Sequence, residues 1–216
     1  MPDLVITVVV LGVPLFVCIV LYRWHIRSIR RKRRTSEQLR ELEAGERGWV
    51  PAPGDVLLTD VGDAICRADG KAINVMVGEY GGRPARFANY AYQSLDGIRL
   101  TAHLVAFDLP VQLPVLTLRR ADPAVPQLDL ELESPEFNRL FRVDCIDDRY
   151  ASAVLHPRMM EWMLAHPGLE WRIDQQSLVT WAHVPWTVEL VDLAFAELVG
   201  VLERIPPFVL TDYGVR

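Results

Sequence analysis

Val75-Met76-Val77-Gly78-Glu79-Tyr80-Gly81-Gly82-Arg83-Pro84-Ala85-Arg86-Phe87-Ala88-Asn89-Tyr90-Ala91-Tyr92 reads as two period-two arms around a Gly-Gly corner. β-Branched and aromatic residues suit a pleated, half-buried surface, and paired glycines supply the positive φ angles of a tight hairpin turn. The stretch predicts an antiparallel hairpin, and the alternation continues beyond it. Ile98, Leu100, Ala102, Leu104 and Ala106 alternate with Arg99, Thr101, His103, Val105 and Phe107. A separate strand is expected over residues 115–119, after Pro110 and Pro114. Leu128, Leu130 and Leu132 against Asp129, Glu131 and Glu133 predict another, as do Phe141, Val143 and Cys145. Leu169, Trp171 and Ile173 return to period two, and residues 177–183 read as their partner across an Asp174-Gln175-Gln176 turn.

Two stretches break this period. His156-Pro157 opens a short helix, Pro being suited to a first helical turn, with Met160, Met163 and Leu164 on one face and His166-Pro167-Gly168 as its stop. Val188, Val191, Phe195, Leu198 and Leu202 form one stripe of a long helix that Thr187 caps and Pro206-Pro207 ends. An α+β fold follows: an antiparallel sheet of seven or eight short strands, one short helix and one long C-terminal helix. A strongly bent sheet of the pleckstrin-homology-like barrel kind fits that order, as does a flatter sheet covered by both helices.

Ahead of this domain, residues 4–22 contain no charge, and as a helix they would run roughly 28 Å, the thickness of a bilayer core. Arg23 begins a cluster of seven Lys/Arg that ends in Arg30, Arg31, Lys32, Arg33 and Arg34, while Asp3 is the only charge in front. A cleaved signal peptide carries its positive charge before a shorter apolar core, the opposite arrangement. The expectation is one transmembrane anchor in the inner membrane, with its N-terminus outside and a cytoplasmic body. Organisation is then read as anchor and basic segment over residues 1–34, stalk and irregular connection over 35–74, and the α+β domain over 75–216.

Residues 35–216 hold 16 Lys/Arg against 27 Asp/Glu, a net charge of about −11. Nucleic acid is excluded as the ligand of such a body, because phosphate binding needs a basic face. The Arg30–Arg34 run faces anionic lipid headgroups, worth about 1 kcal/mol per basic residue near the surface, or serves only to fix topology. Cys18, Cys66 and Cys145 are scattered without a C-x-x-C, as a reducing cytoplasm would have them.

Ser134-Pro135-Glu136-Phe137-Asn138-Arg139-Leu140-Phe141-Arg142-Val143, then Asp147-Asp148-Arg149-Tyr150-Ala151 and Leu155-His156-Pro157-Arg158-Met159-Met160, carries a motif of core aromatics and turn residues. Over Ser134–Met160 the chain resembles an uncharacterised family of bacterial membrane-anchored proteins, known only as a domain of unknown function. The resemblance implies the anchor-then-domain layout and no chemistry.

Candidate chemistry is sparse. Asp144, Asp147 and Asp148 offer hard oxygens but lack the central Gly and twelfth-position Glu of a calcium loop. His156, His166 and His183 match no zinc spacing. No G-x-S-x-G is present, and Gly78, Gly81 and Gly82 belong to a hairpin and make no phosphate loop. No catalytic residue, metal or cofactor is therefore expected. Trp162, Trp171, Trp181 and Trp186 crowd the last third, as core or as a partner surface. The leading expectation is a non-catalytic, membrane-tethered domain that binds a protein partner or a second copy. An enzyme with a scattered site and a lipid-headgroup sensor are its rivals. A cleft with buried ionisable groups would favour the enzyme, an exposed apolar patch the partner, and a basic concavity the lipid.

Overall fold

The computed structural model describes residues 44–66, 69–94, 96–122, 130–183 and 187–215. Residues 4–22, the Arg30–Arg34 run, Leu128 and Trp186 lie outside these. Among the described residues no helix is long and apolar enough to cross a membrane. Arg47–Arg216 form one compact α+β unit.

The sheet has six strands: β1 (Val50–Pro51), β2 (Gly70–Tyr80), β3 (Arg83–Gln93), β4 (Arg99–Arg120), β5 (Phe141–Cys145) and β6 (Trp171–Ala182). Every pairing is antiparallel, in the order β1-β2-β3-β4-β5, with β6 also paired to β4. The hairpin forms as expected. Tyr80 pairs with Arg83, and Gly81 and Gly82 take φ angles of 59° and 73°.

β4 is a single strand of 22 residues, not the two strands expected on either side of its prolines. Against β6, the step from Asp108 to Leu113 is answered only by Ser177 to Gln175, and Leu113 to Leu116 by Gln175 to Ile173. Pro110 and Pro114 sit in those bulges, where a residue without an N–H breaks no ladder bond. Gln175, with φ of 52°, kinks β6 opposite the first bulge, so residues 171–182 are one bent strand and not the expected hairpin. The β4–β6 ribbon thereby folds back on itself. Glu170, just before β6, receives a 2.7 Å hydrogen bond from Thr180 near its far end, and Arg119 lies 5.2 Å over the Trp181 ring. The ribbon is bent, but among the described residues no pairing closes the sheet into a barrel.

After β1, the described residues form six helices: α1 (Leu57–Cys66), α2 (Pro135–Leu140), α3 (Asp148–Val154), α4 (Pro157–Leu164), α5 (Val188–Leu202) and α6 (Pro207–Asp212). α1 and the start of β2 correct the expectation of an irregular connection up to residue 74. Leu58, Val61 and Ile65 of α1 recur at helical spacing and pack on Tyr90, Ala102, Leu104 and Val179. Gly62 belongs to that face because a Cβ there would stand inside the Tyr90 ring. Asp63 and Thr59 accept from the backbone N–H groups of Gly70 and Ala72 at 2.9 and 3.1 Å, so α1 also occupies donors on the rim of β2. The Arg119 guanidinium donates to the Ile65 carbonyl at 2.8 Å, capping the helix.

Residues 130–133 form no strand despite their alternation. The Asn138 amide instead grips both backbone groups of Leu132, at 2.8 and 3.1 Å. Arg86 of β3 pairs with Asp108 of β4 and with Asp55, whose other oxygen accepts from the Leu57 N–H at the start of α1.

Candidate functional site

α5 begins where expected, with the Thr187 hydroxyl accepting from the Leu190 N–H at 3.4 Å. Its Val191, Phe195 and Leu198 are buried against the sheet. Phe195 stacks on Trp49 at 5.3 Å and on Tyr80 at 4.9 Å, and tilts against Phe107 at 5.1 Å. Beside Leu202, which is half-buried, the stripe therefore anchors the helix. Arg47 pairs with Asp192 on the outer side.

The same helix carries a second apolar stripe. Leu190, Leu193 and Ala194 recur at helical spacing about a quarter-turn or more from the buried one, and Leu190 and Leu193 are 42% and 57% exposed. A helix apolar on two sides is ordinarily covered on both. Here the second stripe overhangs a cavity of about 180 Å³ between α5 and the sheet. Val105 and His103 of β4 and Thr180, Trp181 and Ala182 of β6 form its floor, and Gly168 and Leu169 its end wall.

Two titratable groups touch this cavity. His103 shares a 2.6 Å hydrogen bond between its Nδ1 and the Asn89 Oδ1, so Nδ1 carries the proton and donates. Glu197, one turn beyond Leu193 and Ala194, is half-buried in the wall. Burial pushes its carboxyl above the ordinary range, with His166 opposing the shift. Among the described residues no hydrogen bond or ion pair holds this carboxylate. The cavity can accept an apolar group and, at Glu197, a donor or a cation.

Trp162, Trp171 and Trp181 do not share one surface. Trp171 is enclosed in the core, its indole N–H 3.4 Å from the Met163 sulfur. Trp181 lines the cavity under α5. Trp162 lies apart, at a second, more open pocket of about 840 Å³ with His156, Arg204 and Pro206, stacked on His166 at 4.0 Å and under the Arg204 guanidinium at 4.6 Å.

The histidines and aspartates have local tasks. His156 Nε2 donates to the Arg204 carbonyl at 2.9 Å, and His166 Nδ1 to the Trp162 carbonyl at 2.7 Å, while His183 is exposed. Asp147 caps α3, one oxygen accepting from the N–H groups of Arg149 and Tyr150. Among the described residues no group of three potential ligands is placed to hold a metal ion. Burial raises the Cys66 thiol pKa, and Tyr90 bonds to Asp63 beside it, so this cluster tightens α1 on the sheet. No motif or spacing in the sequence marks His103, Leu190, Leu193 or Glu197 as site residues. The available signal was the excess of apolar residues on α5 beyond one stripe.

No protein-family model and no curated protein matches this chain. Among solved structures, the crystal structure of the mycobacterial trehalose monomycolate transport factor A, TtfA, is similar to it. The likeness covers 79% of this chain and 96% of that one, with a TM-score of 0.55 and 17% sequence identity. At that identity it speaks for the fold.

Proposed function

We propose that this chain is a non-catalytic, membrane-tethered accessory factor that docks a protein partner at the inner face of the cell membrane. The similar solved protein is a transport factor, and a transport assembly is the kind of partner this reading supposes. Three features support the tether: the uncharged residues 4–22, the basic cluster behind them, and the layout of the anchored group that Ser134–Met160 resembles. Anionic headgroups are the natural contacts of Arg30, Arg31, Lys32, Arg33 and Arg34.

The observation that carries the docking reading is the exposed Leu190–Leu193 stripe above an apolar cavity. Exposed apolar residues gathered beside a cavity are a common feature of interaction surfaces. The walls are mostly Leu, Val, Ala and Trp, and no Lys or Arg lines the cleft, so it lacks the basic concavity that a headgroup sensor would use.

The test is co-purification of the intact anchored chain, in mild detergent, beside its Leu193→Asp variant. Leu193 is exposed, so the variant should melt within about 0.5 kcal/mol of the parent. The reading expects a membrane protein retained by the parent and lost from the variant. The same co-purifying proteins in both would overturn it. A cytoplasm-dependent reporter fused after Arg216 should be active, and activity of a periplasm-dependent one would overturn the placement.

A further inference from the structure

We infer that the α5 groove receives one large apolar side chain flanked by a Lys or Arg, presented by a basic, membrane-proximal segment of the partner protein. This rests on the docking reading above and names the chemistry of its occupant.

The size of the cavity sets the first half. An apolar cavity of about 150 Å³ holds a benzene-sized group, whereas drug-sized ligands need about 300–1,000 Å³. At about 180 Å³ the groove suits one Phe or Leu side chain, against Val105, Leu169 and Trp181. Single anchors seated in such pockets dominate many protein interfaces.

Glu197 sets the second half. It is half-buried in the wall, and no donor among the described residues meets its carboxylate. A half-buried carboxylate that receives no hydrogen bond, with only the charge of His166 to offset its burial, lowers stability, and departures of this sort concentrate at functional sites. A guanidinium or ammonium beside the anchor would complete it with a charge-assisted hydrogen bond. Long-range charge agrees, because residues 35–216 carry a net of about −11 and would steer a basic segment inward. A domain tethered to the inner face meets such segments there, since short cytoplasmic loops of membrane proteins are rich in Lys and Arg.

The test uses the full chain in detergent and three fluorescein-labelled decapeptides, read by anisotropy at fixed salt. One has a central Phe between arginines, one replaces that Phe with Ser, and one replaces the arginines with Glu. The inference expects the Phe/Arg peptide to bind, with both twins at least tenfold weaker. The Ser twin controls for diffuse attraction to an acidic body. Glu197→Gln should weaken the Phe/Arg peptide about tenfold without lowering thermal stability, and Leu193→Asp should abolish binding. If Leu193→Asp abolishes binding while Glu197→Gln and the Glu twin change nothing, the cation is wrong and the docking surface stands. If the Phe/Arg peptide fails to bind, or binds equally to the Leu193→Asp chain, the inference is overturned.

Discussion

The Thr180 hydroxyl donates to the Glu170 carbonyl at 2.7 Å, although ten residues separate them along one strand. A straight strand would hold them about 33 Å apart. The contact closes the bend of the β4–β6 ribbon, and the α5 groove sits on that ribbon. Thr180 is buried, so Thr180→Val should leave the Glu170 carbonyl without this donor and cost about 1–3 kcal/mol. Urea unfolding should show a lower midpoint with an unchanged slope. No change in midpoint would mean that the bulges hold the bend unaided.

Phe195 is enclosed by Trp49, Tyr80 and Phe107. Phe195→Ala should cost about 3–5 kcal/mol, a large share of a domain's roughly 5–15 kcal/mol. The loss should be the same at every protein concentration. A melt that tracks concentration in the parent and not in the variant would make this stripe a dimer seam.

Gly62 brings α1 against the Tyr90 ring with no room for a methyl. Gly62→Ala gains about 1 kcal/mol of helix propensity but overpacks the contact by about 1–3 kcal/mol or more. Net destabilisation by thermal melt is expected. A stabilised variant would show that the α1–sheet contact relaxes freely.

How much of this was legible depends on the element. The Gly81-Gly82 corner, Pro157 at the start of α4 and Thr187 at the start of α5 act through their nearest neighbours, and each landed where its local chemistry puts it. α1 has a regular apolar stripe in Leu58, Val61 and Ile65, but the Pro- and Gly-rich residues 51–54 just before it read as the start of a connection. Pro110 and Pro114 looked like strand breaks because a bulge is defined by what lies opposite, here β6. Leu130 and Leu132 alternate as a strand would, yet the Asn138 amide takes the backbone groups a partner strand would need. In the groove, Leu190 and Leu193 were visible as apolar residues outside the main stripe. Glu197 was not, since its isolation arises only where α5 crosses the sheet.

Glu197 also predicts a pH dependence. Burial raises its pKa in the folded protein, with His166 as the opposing charge and His103 as the other titratable group at the cavity. In the window from the ordinary carboxyl value up to the raised one, the folded state holds a proton that the unfolded chain releases. Stability therefore falls as pH rises through that window. Glu197→Gln should melt above the parent at neutral pH, and the two should converge below about pH 4. A variant that melts lower at neutral pH would mean the carboxylate is favourably paired.

The central claim is that the outer stripe of α5 meets a partner. A photo-crosslinking residue placed at Leu193 in the intact anchored chain tests it in living cells, with Phe208, another exposed apolar residue, as the control position. A discrete adduct with a membrane protein is expected from position 193, absent from position 208 and lost when Glu197→Lys is added. Matching patterns from 193 and 208, or an adduct from 193 that Glu197→Lys leaves intact, would contradict the account.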